Sequence, residues 1–175
     1  MANESNTPGI GSESIRLVKV TTGNYDALID LEVNEPQKEF VASNIYSLAE
    51  AYANNAEGRF AQPFGIYAGD VPVGFLMIGY DFRDWDDEIP YFSKDGYLIW
   101  RLMIDKAYQG KGYGREAIRL ALDYIRTFPA GKAEYCWLSY EPENEVAKQL
   151  YGSFGFVEAP EFYKEGDEMP AVLKL

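Results

Sequence analysis

A mixed α/β fold is predicted for this chain of 175 residues, and three observations predict it. Two apolar runs, Pro63 to Ala68 and Val73 to Tyr80, flank Gly69-Asp70, which is the composition of a hairpin turn. The apolar segments Tyr97 to Ile104 and Ala133 to Tyr140 lie on either side of a helical pattern from about Gly114 to Thr127. A strand, a helix and a strand in that order form a crossover whose two strands run parallel. Phe156 to Tyr163 and Ala171 to Leu175, on either side of a turn at Gly166, supply a last hairpin.

The remaining elements follow from spacing and punctuation. Ile15 to Val20 is a short β-rich run. After Thr21-Thr22-Gly23, the apolar residues Tyr25, Leu28 and Ile29 suggest a helix capped by Asn24 and closed by Pro36. Ile45, Leu48, Ala49 and Tyr52 fall at i, i+3, i+4 and i+7 behind Asn44, so a second helix should bury that face. A loop with Glu35 and Gln37 separates the two. The connection from Asp81 to Asp95 carries six acids and two basic residues and reads as solvated. In the third helix Ile118, Ala121, Leu122 and Ile125 share a face, and Pro129 and Gly131 end it. Asn144 caps a fourth helix through Val146, Ala147, Leu150 and Phe154, which Gly155 closes. There is no repeat and no interior linker, so residues 15–175 read as one domain behind a flexible leader, 1–14, that has neither a basic start nor an apolar core.

Composition excludes several functions. At 47% hydrophobic the chain can bury one substantial core. Its 28 acidic against 16 basic residues, a net charge of −12, repel a phosphate backbone, so neither nucleic acid nor an anionic membrane is an expected partner. Small cationic amines are attracted by the same field. There is no histidine, which removes the usual general base near neutral pH, the Ser-His-Asp and Cys-His dyads and nearly all zinc and haem sites. No metal is expected. The chemistry is left to carboxylates, tyrosines, backbone groups or a borrowed cofactor. The single cysteine, Cys136, stands between apolar neighbours as a buried structural thiol, and a reducing, cytoplasmic setting follows as the default. No apolar run approaches membrane-spanning length.

One segment carries chemistry. Gln109-Gly110-Lys111-Gly112-Tyr113-Gly114-Arg115 sits between a strand and an amphipathic helix. Glycines there let a ligand approach the backbone closely, while unpaired amides and the positive end of the helix dipole favour phosphate oxygens. A Walker loop needs two glycines five apart followed by Lys and Ser or Thr, and that order is missing. Gly112, Gly114 and Ala117 satisfy a degenerate dinucleotide fingerprint, but that fold presents its motif early, whereas about 60 residues remain after Gly114 and end in a hairpin.

Leu102-Met103-Ile104-Asp105 followed by Gln109 to Gly114 resembles the acetyl-CoA loop of the GNAT superfamily of N-acetyltransferases, whose pattern is Gln or Arg, two residues, Gly, one residue, then Gly or Ala. Asn144 with Ala147, Leu150-Tyr151 and Phe154-Gly155-Phe156 resembles the fourth-helix segment of that family. The resemblance runs from about Ile15 to Leu175. It implies a mostly antiparallel sheet with a central parallel strand pair around the acetyl-CoA cleft. It also implies that Leu102, Met103 and Ile104 offer backbone groups to the pantetheine arm, that Gln109, Gly110, Lys111, Gly112, Tyr113, Gly114 and Arg115 bind the pyrophosphate, and that Asn144 hydrogen-bonds the arm. Tyr151 would be the general acid for the departing thiolate.

Amine acetylation also requires a proton to leave an alkylammonium. With a pKa of about 10.4, this costs about 4 kcal/mol at neutrality, which desolvation and a carboxylate relay can offset. Glu141 after the fifth strand, and Glu32 or Glu35 before the second helix, are the candidates. Within the superfamily the chain looks most like the bacterial diamine or polyamine (spermidine/spermine) N-acetyltransferases, with direct transfer in a ternary complex. It departs from that branch at Trp100, where an acidic residue often stands; an indole can stack on a cation or an alkyl chain but accepts no proton. An aminoglycoside, an amino-acid amine or a protein N-terminus stay open as acceptors, as do a catalytically silent CoA-binding or sensing domain and a homodimer.

Overall fold

Among the described residues, seven strands carry the β-branched and aromatic runs, Ile15–Lys19 (β1), Phe60–Ala68 (β2), Val71–Tyr80 (β3), Tyr97–Ile104 (β4), Tyr135–Tyr140 (β5), Val157–Glu158 (β6) and Met169–Lys174 (β7), and four helices join them, Tyr25–Ile29 (α1), Asn44–Ala56 (α2), Tyr113–Ile125 (α3) and Glu145–Gly152 (α4). The computed structural model describes residues 14–83 and 88–175. The expected leader over 1–13, and Asp84, Asp86 and Asp87 of the acidic connection, therefore lie outside the described residues.

The strands form one sheet in the order β1-β2-β3-β4-β5-β7-β6, antiparallel throughout except for β4 beside β5. The hairpin at Gly69-Asp70 and the crossover through α3 are both as the spacing predicts. β3 is covered on both faces. Its Val73, Leu76 and Ile78 face α3 through Ile118, Ala121, Leu122 and Ile125, and its Phe75 and Met77 pack with Ala51 of α2 and Met103 of β4. Such a strand reads as a continuous apolar run rather than an alternating one.

Five details differ from the sequence expectation. α2 buries Asn44, Ser47 and Ala51, while Ile45 and Tyr52 are exposed. The helix is thus turned by about one residue, ~100°, from the face its hydrophobic spacing predicts. A tertiary hydrogen bond anchors the rotation: Asn44 Nδ2 donates to the Leu28 carbonyl at 2.7 Å, while Ser47 Oγ is satisfied within the helix by the Ser43 carbonyl at 3.1 Å, so both polar groups are paired inside. The cap is Ser43, whose Oγ accepts from Tyr46 N, not Asn44. At the first helix Asn24 holds the cap position without capping. Its Oδ1 accepts from Thr21 N and its Nδ2 donates to the Lys19 carbonyl, which braces the preceding turn. α1 ends at Ile29, well before Pro36, which sits in a 3-10 turn at Glu35–Gln37. Finally, β6 is only two residues long, because Pro160 opens a second 3-10 turn where the run to Tyr163 predicts strand.

The feature that shapes the site is an irregularity in β4. Met77 of β3 pairs with Arg101, and its neighbour Ile78 pairs with Ile99, so Trp100 is an extra residue. This is a β-bulge, and it bends the strand that carries it. Beyond it β4 leaves β5, whose parallel pairing stops after Tyr97 with Cys136 and Leu98 with Trp137. The guanidinium of Arg101 locks the bulge, with Nη1 donating to the Trp100 carbonyl at 2.9 Å and Nη2 to Glu50 of α2 at 2.8 Å. Both side chains are about four-fifths buried.

Removing one partner of so sheltered a pair leaves a desolvated charge. Glu50→Ala should therefore destabilise the fold by about 2 to 3 kcal/mol in urea unfolding followed by circular dichroism. Removal of an exposed pair such as Arg16 with Asp70 should cost less than about 1 kcal/mol in the same experiment.

Candidate active site

Where β4 and β5 part, a cavity of about 630 Å³ opens. Ile99 to Ile104 of β4 form its floor, with a backbone edge that among the described residues pairs with no strand on the β5 side. Gly110, Gly112, Tyr113 and Gly114 of the loop, Tyr140, Asn144 and Tyr151 on the β5 side, and Gln37 to Ala42 complete its lining.

The glycine loop is built as a cradle. Gly112 is the N-cap of α3 with φ +82°, and it contributes no side chain to the helix's first amides. Gly110 also has positive φ, +75°. A Cβ added at either would meet nothing within 4 Å, so the space they leave belongs to the cavity and not to protein packing. Gly114 is different: a Cβ there would lie 3.7 Å from Ile104 and 3.8 Å from Leu150, ordinary contacts. Only the first two glycines need their conformational freedom.

Gln109 lines the cavity, but its side chain serves the protein. Its Nε2 donates to the Ile104 carbonyl at 3.0 Å and to Gln37 Oε1 at 2.9 Å, and its Oε1 accepts from Asn34 Nδ2 at 3.1 Å. The loop is stapled in this way to the end of β4 and to the 3-10 turn. Asp105 makes a second brace: one oxygen accepts from Glu32 N and the other from Ala107 N, both at 2.9 Å. Lys111 and Arg115 stand outside the cavity lining. The Lys111 ammonium is 5.1 Å from the Tyr108 ring, and Arg115 reaches Ser153 Oγ and the face of Phe154.

On the β5 side Asn144 caps α4 as its position predicts, its Oδ1 accepting from Ala147 N at 3.1 Å. Among the described residues its Nδ2 has no hydrogen-bond partner. Tyr151 lies seven residues on, about two turns along the same helix face, between the rings of Tyr140 and Phe156. Burial, followed by the negative charge of Glu168, pushes its phenol well above the ordinary range. The group therefore stays protonated, a hydrogen-bond donor at any physiological pH.

The carboxylates are distributed differently from the expectation. Glu32 and Glu35 do not line the cavity. Glu32 pairs with Lys106 at 3.0 Å and Glu35 with Lys38 at 2.7 Å, beside the braces of the loop. The hydrogen bond from Lys106 and the charge of Lys38 hold Glu32 below its usual pKa. Glu141 is also outside the lining; burial and then the charges of Glu168 and Glu143 push its carboxyl up. The acids that do line the cavity are Glu39 and Glu168. Trp100 lines it as expected, packed edge-on against Phe82 at 4.4 Å with the Arg101 guanidinium 5.3 Å from its ring. The cation nearest its face is thus supplied by its own neighbour. Cys136 is fully buried, which pushes its thiol far up and keeps it from reacting.

Phe40, Ser139, Tyr140 and Glu168 also line the cavity, and sequence reasoning does not single them out. Their signal is tertiary, since Ser139 and Glu168 are brought together by β5 pairing with β7, Ser139 opposite Pro170.

Comparison with known proteins bears on this arrangement. The model of the acetyltransferase (GNAT) family matches residues 25–156. The chain is 32% identical over 145 residues to the spermine/spermidine N(1)-acetyltransferase of Bacillus subtilis strain 168, covering 82% of this chain and 88% of the relative. Identity and coverage are the same for a probable spermine N(1)-acetyltransferase of Bacillus subtilis subsp. natto. Among solved structures, the spermidine N-acetyltransferase of Vibrio cholerae, in complex with CoA and spermine, superimposes with a TM-score of 0.64 at 20% identity, over 91% of this chain and 95% of that one.

The three glycines of the loop should respond with opposite signs. A left-handed backbone costs a residue with a Cβ about 1 to 2 kcal/mol, so Gly110→Ala and Gly112→Ala should each lower unfolding free energy by about that amount. Gly114→Ala should be neutral or stabilising by up to about 1 kcal/mol, because it adds a helix former at a position with room. Urea titration of the three variants gives the comparison.

Proposed function

The chain belongs to the GNAT acetyltransferase family and is an N-acetyltransferase, and from that premise we propose that it carries the acetyl group of acetyl-CoA to a primary amine of a polyamine or diamine. Acetyl-CoA is the cosubstrate, and it supplies an activated acyl carbon with a thiolate leaving group. The observation that carries the reading is the continuity of one cleft, from the uncapped glycine start of α3, along the unpaired edge of β4, to Tyr151. A long ligand with phosphates at one end and a reactive acyl group at the other fits that order.

Each part of the cleft then has a task. The first amides of α3 and the backbone at Gly110 and Gly112 take the pyrophosphate, with Lys111 and Arg115 adding positive charge at the rim. Leu102, Met103 and Ile104 offer their free backbone edge to the extended arm, and Asn144 Nδ2 donates to it. Gln109 acts indirectly, by holding the loop against β4. Tyr151 donates its proton to the departing sulfur. Because a tyrosinate is so strongly disfavoured there, that proton is replaced by the one the nitrogen loses as it becomes an amide. The amine reaches the acyl carbon directly; Cys136 takes no part.

Support for a polyamine acceptor comes from three directions. The net charge of −12 draws cations. Glu39 and Glu168 line the cleft, and among the described residues neither has a lysine or arginine within salt-bridge distance. The relatives at 32% identity act on spermine or spermidine by name. Residues 15–175 serve as one functional unit in this reading, and a reducing, cytoplasmic setting suits the lone buried thiol. No helix among the described residues is long and apolar enough to cross a membrane.

Thiol release from acetyl-CoA in the presence of spermidine, spermine, putrescine, an aminoglycoside or an N-terminal peptide amine tests the proposal. The polyamines should give the highest kcat/KM, and preference for the peptide or the aminoglycoside would overturn the substrate assignment. For the preferred amine, kcat/KM should rise about tenfold per pH unit between pH 7 and 9, since the amine must lose a proton with a pKa near ~10. The raised pKa of Tyr151 keeps its proton in place over this window, so no falling limb should interrupt the rise.

Tyr151→Phe should lower kcat by about 10² to 10³ and leave acetyl-CoA affinity by calorimetry nearly unchanged. Loss of affinity with turnover preserved would make Tyr151 a binding contact only. Cys136→Ala should keep most of its turnover, and an acetylated cysteine trapped during a single turnover would refute direct transfer.

A further inference from the structure

Among the acids near the cleft, most are already engaged. Glu50 holds Arg101, Glu32 and Glu35 hold lysines, and Glu158 accepts from both Lys148 at 2.9 Å and the Tyr140 hydroxyl at 2.8 Å. Glu141 lies just past the paired end of β5 but outside the cavity lining. Glu39 and Glu168 remain. Glu39 belongs to the rim segment before α2, near Phe40, whereas Glu168 immediately precedes β7 and stands at the Tyr151 end.

The position of Glu168 is built, not incidental. Ser139 Oγ donates a hydrogen bond to Glu168 Oε2. Ser139 lies in β5 beyond the point where β5 leaves β4, and its register partner Pro170 places Glu168 just outside the last β5–β7 pair, Tyr140 with Met169. The bond to Ser139 occupies one carboxylate oxygen and leaves Oε1 for a ligand. Its negative charge is felt by the Tyr151 phenol and by Glu141. The carboxylate is therefore close enough to the acyl-transfer end of the cleft to act on whatever nitrogen reacts there.

We infer that Glu168, oriented by Ser139, is the carboxylate that receives the acceptor ammonium beside Tyr151 and takes its first proton. This rests on the acetyltransferase reading of the cleft and names the residue that reading otherwise lacks. The balance is as follows. The ammonium gives one proton to Glu168, which passes it to solvent, and the neutral nitrogen forms its bond to the acyl carbon with its lone pair. The carbon–sulfur bond breaks with its electrons on sulfur, Tyr151 protonates the thiolate, and the second proton of the nitrogen returns to Tyr151. One proton is released per turnover. The unfavourable transfer from an amine to a carboxylate is offset by removal of the proton to water, which Glu168, exposed on its outer side, can reach.

The test compares Glu168→Gln, Glu168→Asp, Glu39→Gln and Ser139→Ala with the wild type, using the best acceptor of the amine panel and saturating acetyl-CoA. Glu165→Gln, an exposed acid of the same turn outside the lining, is the control. Glu168→Gln should raise KM for the amine and lower kcat, with kcat/KM falling about 10²-fold, while CoA affinity by calorimetry stays within about twofold. Glu168→Asp should recover part of the loss. Ser139→Ala should act mainly on KM, by about 3- to 10-fold, as expected for a residue that orients its partner. Wild-type kinetics in Glu168→Gln, or a larger loss in Glu39→Gln, overturn the inference while leaving the acetyltransferase reading intact. Absence of thiol release by the wild type with every amine overturns both.

Discussion

One extra residue of β4, Trp100, breaks the pairing with β3, and the cleft exists because of it. A regular strand at Trp100 and Arg101 would continue alongside β5, and the sheet would close over the space where a ligand's arm could lie. The bulge diverts β4 at the cost of an irregular backbone, and the Arg101 guanidinium offsets that cost by bonding the Trp100 carbonyl and Glu50 of α2 together. α2 is thereby coupled to the site although it contributes no catalytic group. Its own rotation, anchored by Asn44 on the Leu28 carbonyl in place of its apolar spacing, brings Glu50 to the arginine.

The glycine-loop side of the cleft depends on restraint of another kind. Glycines with positive φ allow the loop its turn, but the same freedom would leave it loose in the free protein. Gln109 and Asp105 remove that freedom by tying the loop to β4, to the 31–37 segment and to the 3-10 turn. A loop held in its binding shape before the ligand arrives has less entropy to lose on binding. The Glu32 and Glu35 ion pairs with lysines lie in the same bracing region, which gives these acids a local structural task.

A chain with no histidine must move two protons with groups whose ordinary pKa values lie far from neutrality. Burial acts on one of them: it pushes Tyr151 up and keeps the phenol protonated, while Glu168 is exposed to water. In the proposed mechanism proton acceptance and donation are divided between this wet carboxylate and the dry phenol.

The sequence alone determined the order of strands and helices, the parallel crossover, the glycine turn and the Asn144 cap, because each depends on local chemistry: alternation, helical spacing, backbone freedom and an amide at a helix start. Resemblance to the family's fourth-helix segment singled out Tyr151, and the fold puts that residue on the wall of the cleft. The rotation of α2 was not legible, since Ile45 and Tyr52 offered a better apolar face than the polar residues that are buried, and the Leu28 carbonyl that receives Asn44 is supplied by another helix. The bulge was hidden because Trp100 and Arg101 read as ordinary strand residues. Which carboxylate faces the cleft was decided by tertiary structure as well: Glu32 meets Lys106 from beyond β4, Glu35 meets Lys38 of its own turn, and Glu168 is delivered by the pairing of β7 with β5. Charge can be counted along a chain, but whether a carboxylate can meet a substrate depends on where folding puts it: Glu168 is held on the cleft wall by Ser139 of another strand, whereas Glu32 is tied to Lys106 outside it.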